Sequence, residues 1–179
     1  MIAGVQIRRE LRPGDYGAII QHHGRTYARE YGVDESFEAM VAASVTRAAM
    51  RGWPRGERDG IWIVERDGDL AGSLALTDED QDVGALRWFV LDRALRGRGL
   101  GGKLVSELLE KARAVGFERV RLETFSELRA AAHLYRAHGF EVVREETGPR
   151  WGRDSITYQY YELELAAAKS AIAAAHSVA

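Results

Sequence analysis

Hydrophobic and polar positions follow two different periods along the chain, and each period predicts one kind of element. Residues 117–124 alternate between apolar and polar side chains, which is typical of a half-buried strand. Leu100, Leu104 and Leu108 recur every fourth residue, as expected on the buried face of a helix. The dipeptide Asp67-Gly68 between two apolar runs indicates a β-hairpin turn. The chain is therefore predicted to contain both strands and helices.

Applied to the whole chain, these patterns predict the element order β-α-α-β-β-β-α-β-α-β-β. Strands are expected near residues 5–10, 60–67, 70–77, 84–91, 117–124, 140–146 and 155–165. Helices are expected from residue 13 or 15 to about 30, and over 35–50, 100–115 and 127–137, with loops at 51–60 and 148–152. This order predicts an α+β fold (mixed α/β). Its central sheet is expected to be mixed but mostly antiparallel, with about seven strands and about four flanking helices.

Length and composition favour a single compact domain. A chain of 179 residues, 46% of them hydrophobic, can bury a sizeable core without disulfides. We assign this domain to residues 1–166. The alanine-rich segment 167–179 has little to bury and is expected to form a tail or a helix extension.

A glycine-rich loop joins a predicted strand to the start of a predicted helix. Glycines let backbone N–H groups approach a ligand closely, and the helix dipole favours negative charge at a helix N-terminus. The loop also carries cations that add to this field. Its glycines are Gly97, Gly99, Gly101 and Gly102, and its cations are Arg96, Arg98 and Lys103. The sequence therefore predicts a ligand that carries phosphates.

The same loop also matches a dinucleotide-binding fingerprint. Gly97-x-Gly99-x-x-Gly102 has the required spacing, and Glu123 lies near the position of the ribose-binding acid of that motif. A dinucleotide-binding domain needs several more strand-helix units after its fingerprint. Only one helical pattern follows Glu123, and a hairpin precedes the loop. The topology therefore disfavours this alternative.

Two motifs in this part of the chain resemble those of the GNAT superfamily of acetyl-CoA-dependent N-acetyltransferases. The first motif, (Arg/Gln)-x-x-Gly-x-(Gly/Ala), is matched by Arg96, Gly99 and Gly101. The second, Ala-x-x-Leu-Tyr-x-x-x-Gly-Phe, is matched at every fixed position over residues 131–140. The resemblance is strong over residues 84–140 and looser on either side. It implies a GNAT-like fold and an enzyme that transfers an acetyl group to a primary amine.

The regions around these motifs add one similarity and one departure. The N-terminal part resembles the acetyltransferase half of bacterial proteins that fuse a MarR-type DNA-binding regulator to such a domain. Many family members carry asparagine where Leu128 stands. A side-chain contact from this position to the pantetheine arm is therefore not expected here.

The resemblance implies that backbone groups do most of the cofactor binding. The end of the strand at 84–91 would pair with the pantetheine amides, and an N–H group there would polarise the thioester carbonyl. The diphosphate would lie on the N–H groups of the glycine loop. The alternative for the cations of that loop is that Arg98 and Lys103 are solvated surface charges. The expected cofactor-binding residues are Phe89, Val90, Leu91, Arg96, Gly97, Arg98, Gly99, Leu100, Gly101, Gly102 and Lys103.

Two side chains are candidates for proton transfer. The second motif implies that Tyr135 protonates the departing thiolate, the alternative being a packing role on the same helix face as Ala131. Glu79 is the candidate that helps to accept the amine proton, the alternative being a solvated turn with its acidic neighbours. Glu123 either faces the cleft or pairs with a neighbour such as Arg121.

The two N-terminal helices are expected to wall the acceptor side, as in the family. We assign Tyr27, Glu30 and Tyr31 to the substrate, although Glu30 is also explained as a surface carboxylate at a helix end. Of His22 and His23, at least one is expected at the surface, because adjacent residues cannot share a helix face. Neither this pair nor His133 and His138, five residues apart, has the spacing of a metal site. No metal cofactor is expected.

Composition narrows the classes of function further. A net charge of −2 gives no general nucleic-acid footprint, and the absence of cysteine excludes disulfides and a cysteine nucleophile. Residues 1–6 have no signal-peptide or membrane-span character, so a cytoplasmic location without membrane contact is expected. Arginine greatly outnumbers lysine, which suggests a bacterial source. The expected partner is a small-molecule or protein amine, and a homodimer stays open. The alternative function is a non-catalytic acyl-CoA-binding sensor module.

Overall fold

A computed structural model describes residues 4–79 and 81–165. Within these ranges the chain forms seven strands, four α-helices and a short 3-10 helix at Arg93–Leu95. The strands are β1 (Val5–Arg8), β2 (Gly60–Arg66), β3 (Asp69–Asp78), β4 (Val83–Leu91), β5 (Arg119–Phe125), β6 (Glu141–Arg150) and β7 (Arg153–Glu164). The helices are α1 (Asp15–Tyr31), α2 (Glu35–Met50), α3 (Leu100–Ala114) and α4 (Arg129–Ala137). The predicted C-terminal tail at 167–179 lies outside the described residues.

The strands form one sheet in the order β1-β2-β3-β4-β5-β7-β6. Every neighbouring pair is antiparallel except β4 and β5, which are parallel. The predicted fold class, a mixed but mostly antiparallel sheet with flanking helices, is confirmed. A parallel pair needs a long crossover between its strands. Here α3 makes that crossover from β4 to β5.

Helices cover both faces of the sheet, so the protein has two hydrophobic cores. One core packs α3 and α4 against the sheet and contains Leu104 and Leu108, which are completely buried. The other packs α1 and α2 against the opposite face around Ile19 and Phe37. Residues 71–77 of β3 are buried without interruption, as expected for a central strand covered on both sides.

A β-bulge in β4 breaks the regular pairing of the central strands. The register leaves Trp88 and Phe89 opposite a single residue of β3, Leu74. Trp88 adopts a left-handed backbone with φ 46°, which is costly for a side chain of its size. Ser73 Oγ donates to the Trp88 carbonyl over 2.6 Å, and the indole donates to Ser44 Oγ over 3.2 Å. These bonds hold the bulge in place.

An ion-pair cluster fixes the start of α1 to the sheet. The Arg8 guanidinium donates to Asp15 Oδ2 over 2.8 Å and to Glu65 Oε1 over 2.9 Å, with its side chain 9% exposed. Burial acts to raise the pKa of Asp15, but the bonds from Arg8 and from the Arg12 N–H outweigh it and lower the pKa. The first turn of α1 is thereby tied to β1 and β2.

Several element boundaries differ from the predicted ones, and two of the differences change how the chain enters a strand. The strand predicted from residue 117 begins at Arg119, because the Phe117 N–H bonds back to Ala112 at the end of α3. The loop predicted at 148–152 is mostly strand. β6 continues to Arg150, and a two-residue turn at Trp151 and Gly152, with φ 53° and 73°, leads into β7.

We expect Asp15→Asn to lower the free energy of unfolding at neutral pH by about 1–3 kcal/mol, the range for losing a hydrogen bond to a charged group. Because the folded-state pKa of Asp15 is lowered, its contribution is complete above the ordinary pKa and is lost as pH falls through the lowered value. Urea unfolding measured between about pH 7 and about pH 3 should therefore show a flatter acid limb in the variant. Asp154→Asn, at an exposed residue with no ion pair among the described residues, is the control. An unchanged acid limb in Asp15→Asn would contradict this account.

Candidate active site

The central feature of the site is an opening between β4 and β5. The two strands pair only at Val83, Gly84 and Ala85 of β4, and then they part. Residues 86–91 of β4 therefore keep a backbone edge that β5 does not cover. This edge presents N–H and C=O groups at strand spacing, which suits a ligand with amide groups.

The N-terminus of α3 lies at the end of this opening and has the properties of an anion site. Gly99 caps the helix in a left-handed conformation with φ 78°, and no side chain bonds the first turn. The first turn contains no acidic residue. The Lys103 N–H bonds the Gly99 carbonyl over 3.0 Å, so the N–H groups of residues 100–102 precede the first intrahelical bond. These groups and the helix dipole favour a phosphate.

Arg96 supports the glycine loop from the protein side. Its Nε donates to the Leu91 carbonyl over 2.8 Å, and its two terminal nitrogens bond Glu30 of α1 over 2.6 and 3.1 Å. Burial acts to lower the pKa of Arg96, but the bonds to Glu30 outweigh it and raise the pKa. This geometry does not favour the predicted contact between Glu30 and a substrate amine. The Glu30 side chain is 17% exposed, and its carboxylate is held by Arg96.

A groove of about 490 Å³ runs from this loop along β4 and α4. The expected cofactor residues line it, with the exception of Arg98, Leu100 and Lys103. Leu100 packs into the core instead, and Arg98 is exposed. Lys103 is 65% exposed and lies 3.9 Å from Glu107. Leu128, at the family's asparagine position, forms an apolar part of the groove wall.

A second cavity, of about 370 Å³, lies between α2 and strands β3, β4, β5 and β7. Its walls are largely aromatic, and both predicted catalytic residues, Tyr135 and Glu79, line it. Tyr27 and Phe89 line this cavity as well as the groove. The two spaces therefore meet at these side chains. This arrangement suits a ligand in the groove that has to present its reactive end to a second molecule in the cavity.

Tyr135 lies at this junction with its hydroxyl available. The ring packs 6.5 Å from Phe89, 6.0 Å from Phe140 and 5.9 Å from Tyr161, measured between centroids. Its hydroxyl has no hydrogen-bond partner within residues 4–79 and 81–165. Burial raises the pKa of Tyr135, and Tyr27 and Tyr161 raise it further. The phenol is therefore protonated at physiological pH and able to donate.

A charged network forms the polar wall of the cavity. Glu79 accepts from Thr77 over 2.8 Å, from Arg121 over 3.0 Å and from Arg87 over 3.3 Å. Burial acts to raise the pKa of Glu79, but these partners outweigh it and lower the pKa. Glu123 also faces the cavity, where Tyr158 donates to it over 2.8 Å. Glu79 is therefore not a solvated carboxylate in a turn, which was the alternative explanation for it.

The expectation that His22 or His23 lies at the surface is wrong. His22 bonds Asp92 over 2.9 Å with its side chain 12% exposed. His23 is buried in the cavity wall, stacked on Tyr27. Its Nδ1 lies 2.8 Å from the Ile19 carbonyl, which can only accept, so Nδ1 carries the hydrogen and Nε2 is an acceptor. Burial lowers the pKa of His23 to about 4, which keeps the imidazole neutral.

Sequence patterns gave His23 no role in the cavity and did not single out Arg47 and Arg51, which also line it. Helical spacing shows which residues of α2 share a face, but not what that face contacts. Side chains of the described residues do not bring three or more His, Asp or Glu groups together as a metal site would require. No helix in the same ranges is both long and apolar enough to cross a membrane.

We expect Gly101→Val to weaken acetyl-CoA binding roughly tenfold or more, because overpacking by two methyl groups costs about 1–3 kcal/mol. A Cβ at Gly101 would lie 3.4 Å from Leu134 and 3.5 Å from Phe89, an ordinary contact, so added methyl groups would extend into the groove. Gly99 is a poorer test position because its φ of 78° strains any side chain. Calorimetric titration would measure the affinity, and thermal melting would check the fold.

Gly17→Ala is the matched control for Gly101→Val. Gly17 is an exposed helical glycine of α1 with open space around it, so alanine should leave acetyl-CoA binding unchanged. Unchanged affinity in Gly101→Val would show that the groove does not hold the ligand.

Comparisons with known proteins show which family this sequence resembles. Residues 20–140 match the model of the Acetyltransferase (GNAT) family. An uncharacterized N-acetyltransferase, YjgM of Escherichia coli, is 39% identical over 46% of this chain and 51% of its own length. A mycothiol acetyltransferase of Thermobispora bispora is 34% identical over 77% of this chain and 42% of its own length. The chain thus spans about half the length of these curated relatives.

A solved structure shows the same fold. The structure of yncA from Salmonella typhimurium, determined with its cofactor acetyl-CoA, superimposes with a TM-score of 0.68. The match covers 91% of this chain and 95% of that one, at 19% sequence identity. Together with the family match over residues 20–140, the open strand edge and the glycine loop at a helix start without a side-chain cap, it leads to one conclusion. The chain belongs to the GNAT family of acetyltransferases.

Proposed function

We propose that this protein is an acetyl-CoA-dependent N-acetyltransferase that acts on a primary amine of a small molecule or protein. The observation that carries the proposal is the meeting of the anion-binding groove and the aromatic cavity at Tyr27 and Phe89. A direct transfer between two substrates requires such a junction, because the acetyl carbon and the amine nitrogen have to come within bonding reach.

The residues of the groove fit acetyl-CoA, which supplies a thioester-bound acetyl group. The N–H groups at the start of α3 would hold the diphosphate, and Arg96 would position the loop rather than touch the phosphates. The open edge of β4 at residues 86–91 would pair with the amides of the pantetheine arm. Exposed Arg98 and Lys103 would add positive potential near the phosphates.

Backbone and phenol groups would assist the transfer at the junction. An N–H group of Phe89–Leu91 would donate to the thioester oxygen, where negative charge develops as the amine nitrogen attacks the carbonyl carbon. When the C–S bond breaks, Tyr135 would give its proton to the sulfur and regain one from the nitrogen. Because the pKa of Tyr135 is raised, a free phenolate is disfavoured and the two proton transfers are expected to be concerted.

Glu79 would act before this step. An aliphatic amine arrives as an ammonium ion at neutral pH and has to lose a proton before it can attack. We assign Glu79 to receive that proton through water, since its ionised carboxylate lines the cavity. The low pKa maintained by Arg87 and Arg121 would let it pass the proton on to solvent. Tyr27 and Tyr31 would wall the junction, and Glu30 would act through Arg96.

The alternative function is a non-catalytic acyl-CoA-binding sensor. It would suit a chain related to the acetyltransferase half of MarR-type regulator fusions. The Tyr135 hydroxyl at the junction has no hydrogen-bond partner in the described part of the chain, which favours the enzyme, because a binding module needs no proton donor there. We place the activity in the cytoplasm of a bacterial cell, where acetyl-CoA is available, in keeping with the arginine-rich composition.

The first test is ligand binding followed by turnover. We expect acetyl-CoA to raise the melting temperature by mass action and NAD, at equal concentration, to leave it unchanged. Thiol release from acetyl-CoA over a panel of primary amines would then measure transfer. A shift with NAD alone would overturn the proposal. Binding of acetyl-CoA without thiol release on any amine would favour the sensor.

The second test is Tyr135→Phe. If the phenol protonates the thiolate, kcat should fall by roughly 10²-fold or more, while acetyl-CoA affinity stays within a few-fold. Phenylalanine keeps almost all of the buried area, so a packing role predicts a nearly normal rate. Tyr161→Phe is the control, because Tyr161 is completely buried beside Tyr135 but lines neither space. Steady-state kinetics on one confirmed amine would decide between the two roles.

A further inference from the structure

Two arginines at the C-terminal end of α2, Arg47 in its last turn and Arg51 directly after Met50, line the acceptor cavity without a side-chain partner among the described residues. Arg47 and Arg51 are both exposed at the rim of the space. Neither guanidinium has a hydrogen bond or ion pair with any other described residue, and the Arg51 N–H bonds only backbone carbonyls of α2. A cation turned into a cavity and left unpaired is available for an anionic ligand.

These arginines form one end of a helical stripe. Met40, Ser44, Arg47 and Arg51 follow one another at spacings of three and four residues, so they share a face of α2. Ser44 accepts from the Trp88 indole, which places this turn of α2 beside the bulge of β4. Arg47 is one turn further, about 5 Å along the axis, and Arg51 one turn beyond that. The cationic end therefore lies within reach of a small molecule whose amine is at the junction.

The other charges of the cavity are already neutralised within the protein. Arg87 contacts both Glu79 and Glu123 over 3.3 and 3.5 Å. Glu79 is paired a second time, with Arg121 over 3.0 Å. The charges of Arg87, Arg121, Glu79 and Glu123 therefore cancel one another. The charges of Arg47 and Arg51 are not cancelled by any described side chain. The field at that end of the cavity is therefore positive.

The size of the cavity restricts what can use this field. A volume of about 370 Å³ is at the lower end of the range for small-molecule sites. The other walls include several aromatic side chains, among them Phe37, Trp88 and Trp151, which offer apolar contact. A small amine with an apolar body and an anionic end complements both the charge and the surface. An internal lysine of a protein brings no anionic end.

We propose that the acceptor is a small amine that also carries an oxyanion, a carboxylate or a phosphate, bound by Arg47 and Arg51. The proposal rests on the proposed acetyltransferase function and narrows its substrate. The planar guanidinium groups match the oxygen geometry of either anion. The cavity thus selects an acceptor that has an amine at one end and a negative charge at the other.

Matched compounds test the proposal. Phenylalanine and phenylalaninamide differ only in the carboxylate, as do 4-aminobutanoate and 4-aminobutanamide, and 3-aminopropylphosphonate replaces the carboxylate by a phosphorus oxyanion. We expect the oxyanion compounds to have kcat/KM values roughly tenfold or more above their amides, the scale of one charge-assisted bond. Comparing 3-aminopropylphosphonate with 4-aminobutanoate shows whether a phosphonate or a carboxylate is preferred.

Binding is measured separately from turnover. Trp88 and Trp151 line the cavity, so ligand titrations in the presence of CoA can be followed by tryptophan fluorescence. If wild-type protein binds the oxyanion compounds more tightly than the amides but transfers no acetyl group, the oxyanion-binding site at Arg47 and Arg51 stands and the acetyltransferase function fails. If amides are acetylated and bound as well as the oxyanion compounds, the function stands and this inference fails. The inference also fails if none of the compounds binds.

Variants link the preference to the two arginines. Arg47→Gln and Arg51→Gln should each reduce the discrimination, and the double variant should abolish it while acetyl-CoA affinity is unchanged. Arg113→Gln is the control, since Arg113 is an exposed arginine in the last turn of α3 that lines neither space. Melting temperatures check that folding is intact. A preference that survives in the double variant would overturn the assignment.

Discussion

The parting of two parallel strands is the constraint on which the rest of the structure depends. β4 and β5 pair only as far as Ala85 and then separate. The bulge at Trp88 bends β4 at that point, and the bonds to Ser73 and Ser44 hold it. An open backbone edge inside a sheet costs unpaired polar groups, so it persists only where something else satisfies them. Here that edge is the floor of the groove and leads to the acceptor cavity.

The glycine loop and the first helix form one unit around this opening. Arg96, a fixed residue of the first motif, bonds the end of β4 and pairs with Glu30 of α1. Arg8 ties the other end of α1 to β1 and β2 through Asp15 and Glu65. With both ends held, α1 presents Tyr27 at the junction of the two spaces. A motif arginine beside the proposed phosphate site can therefore act on the protein rather than on the ligand.

Electrostatics divides the acceptor cavity into two parts. Near the sheet, Glu79, Glu123, Arg87 and Arg121 neutralise one another, and Tyr158 donates to the same network. Along α2 the arginines have no such partners among the described residues. Near the junction the Tyr135 phenol and the His23 imidazole are neutral, since burial raises the pKa of Tyr135 and lowers that of His23. The proposed proton transfer at the junction would therefore start from a neutral phenol, while the proposed recognition of an oxyanion would take place at the rim.

Local patterns in the sequence determined most of the elements, the mixed sheet and the glycine loop at a helix start. Alternation, glycines and capping act within a few residues, and the two motifs lie on single strand-helix units. The same patterns could not show that Arg96 faces Glu30, that His23 is buried against Tyr27, or that β4 bulges at Trp88. Nor did they show which face of α2 turns toward the cavity, because helical spacing defines a face but not its partner. Those features depend on contacts between residues far apart in the chain, and only the tertiary structure decided them.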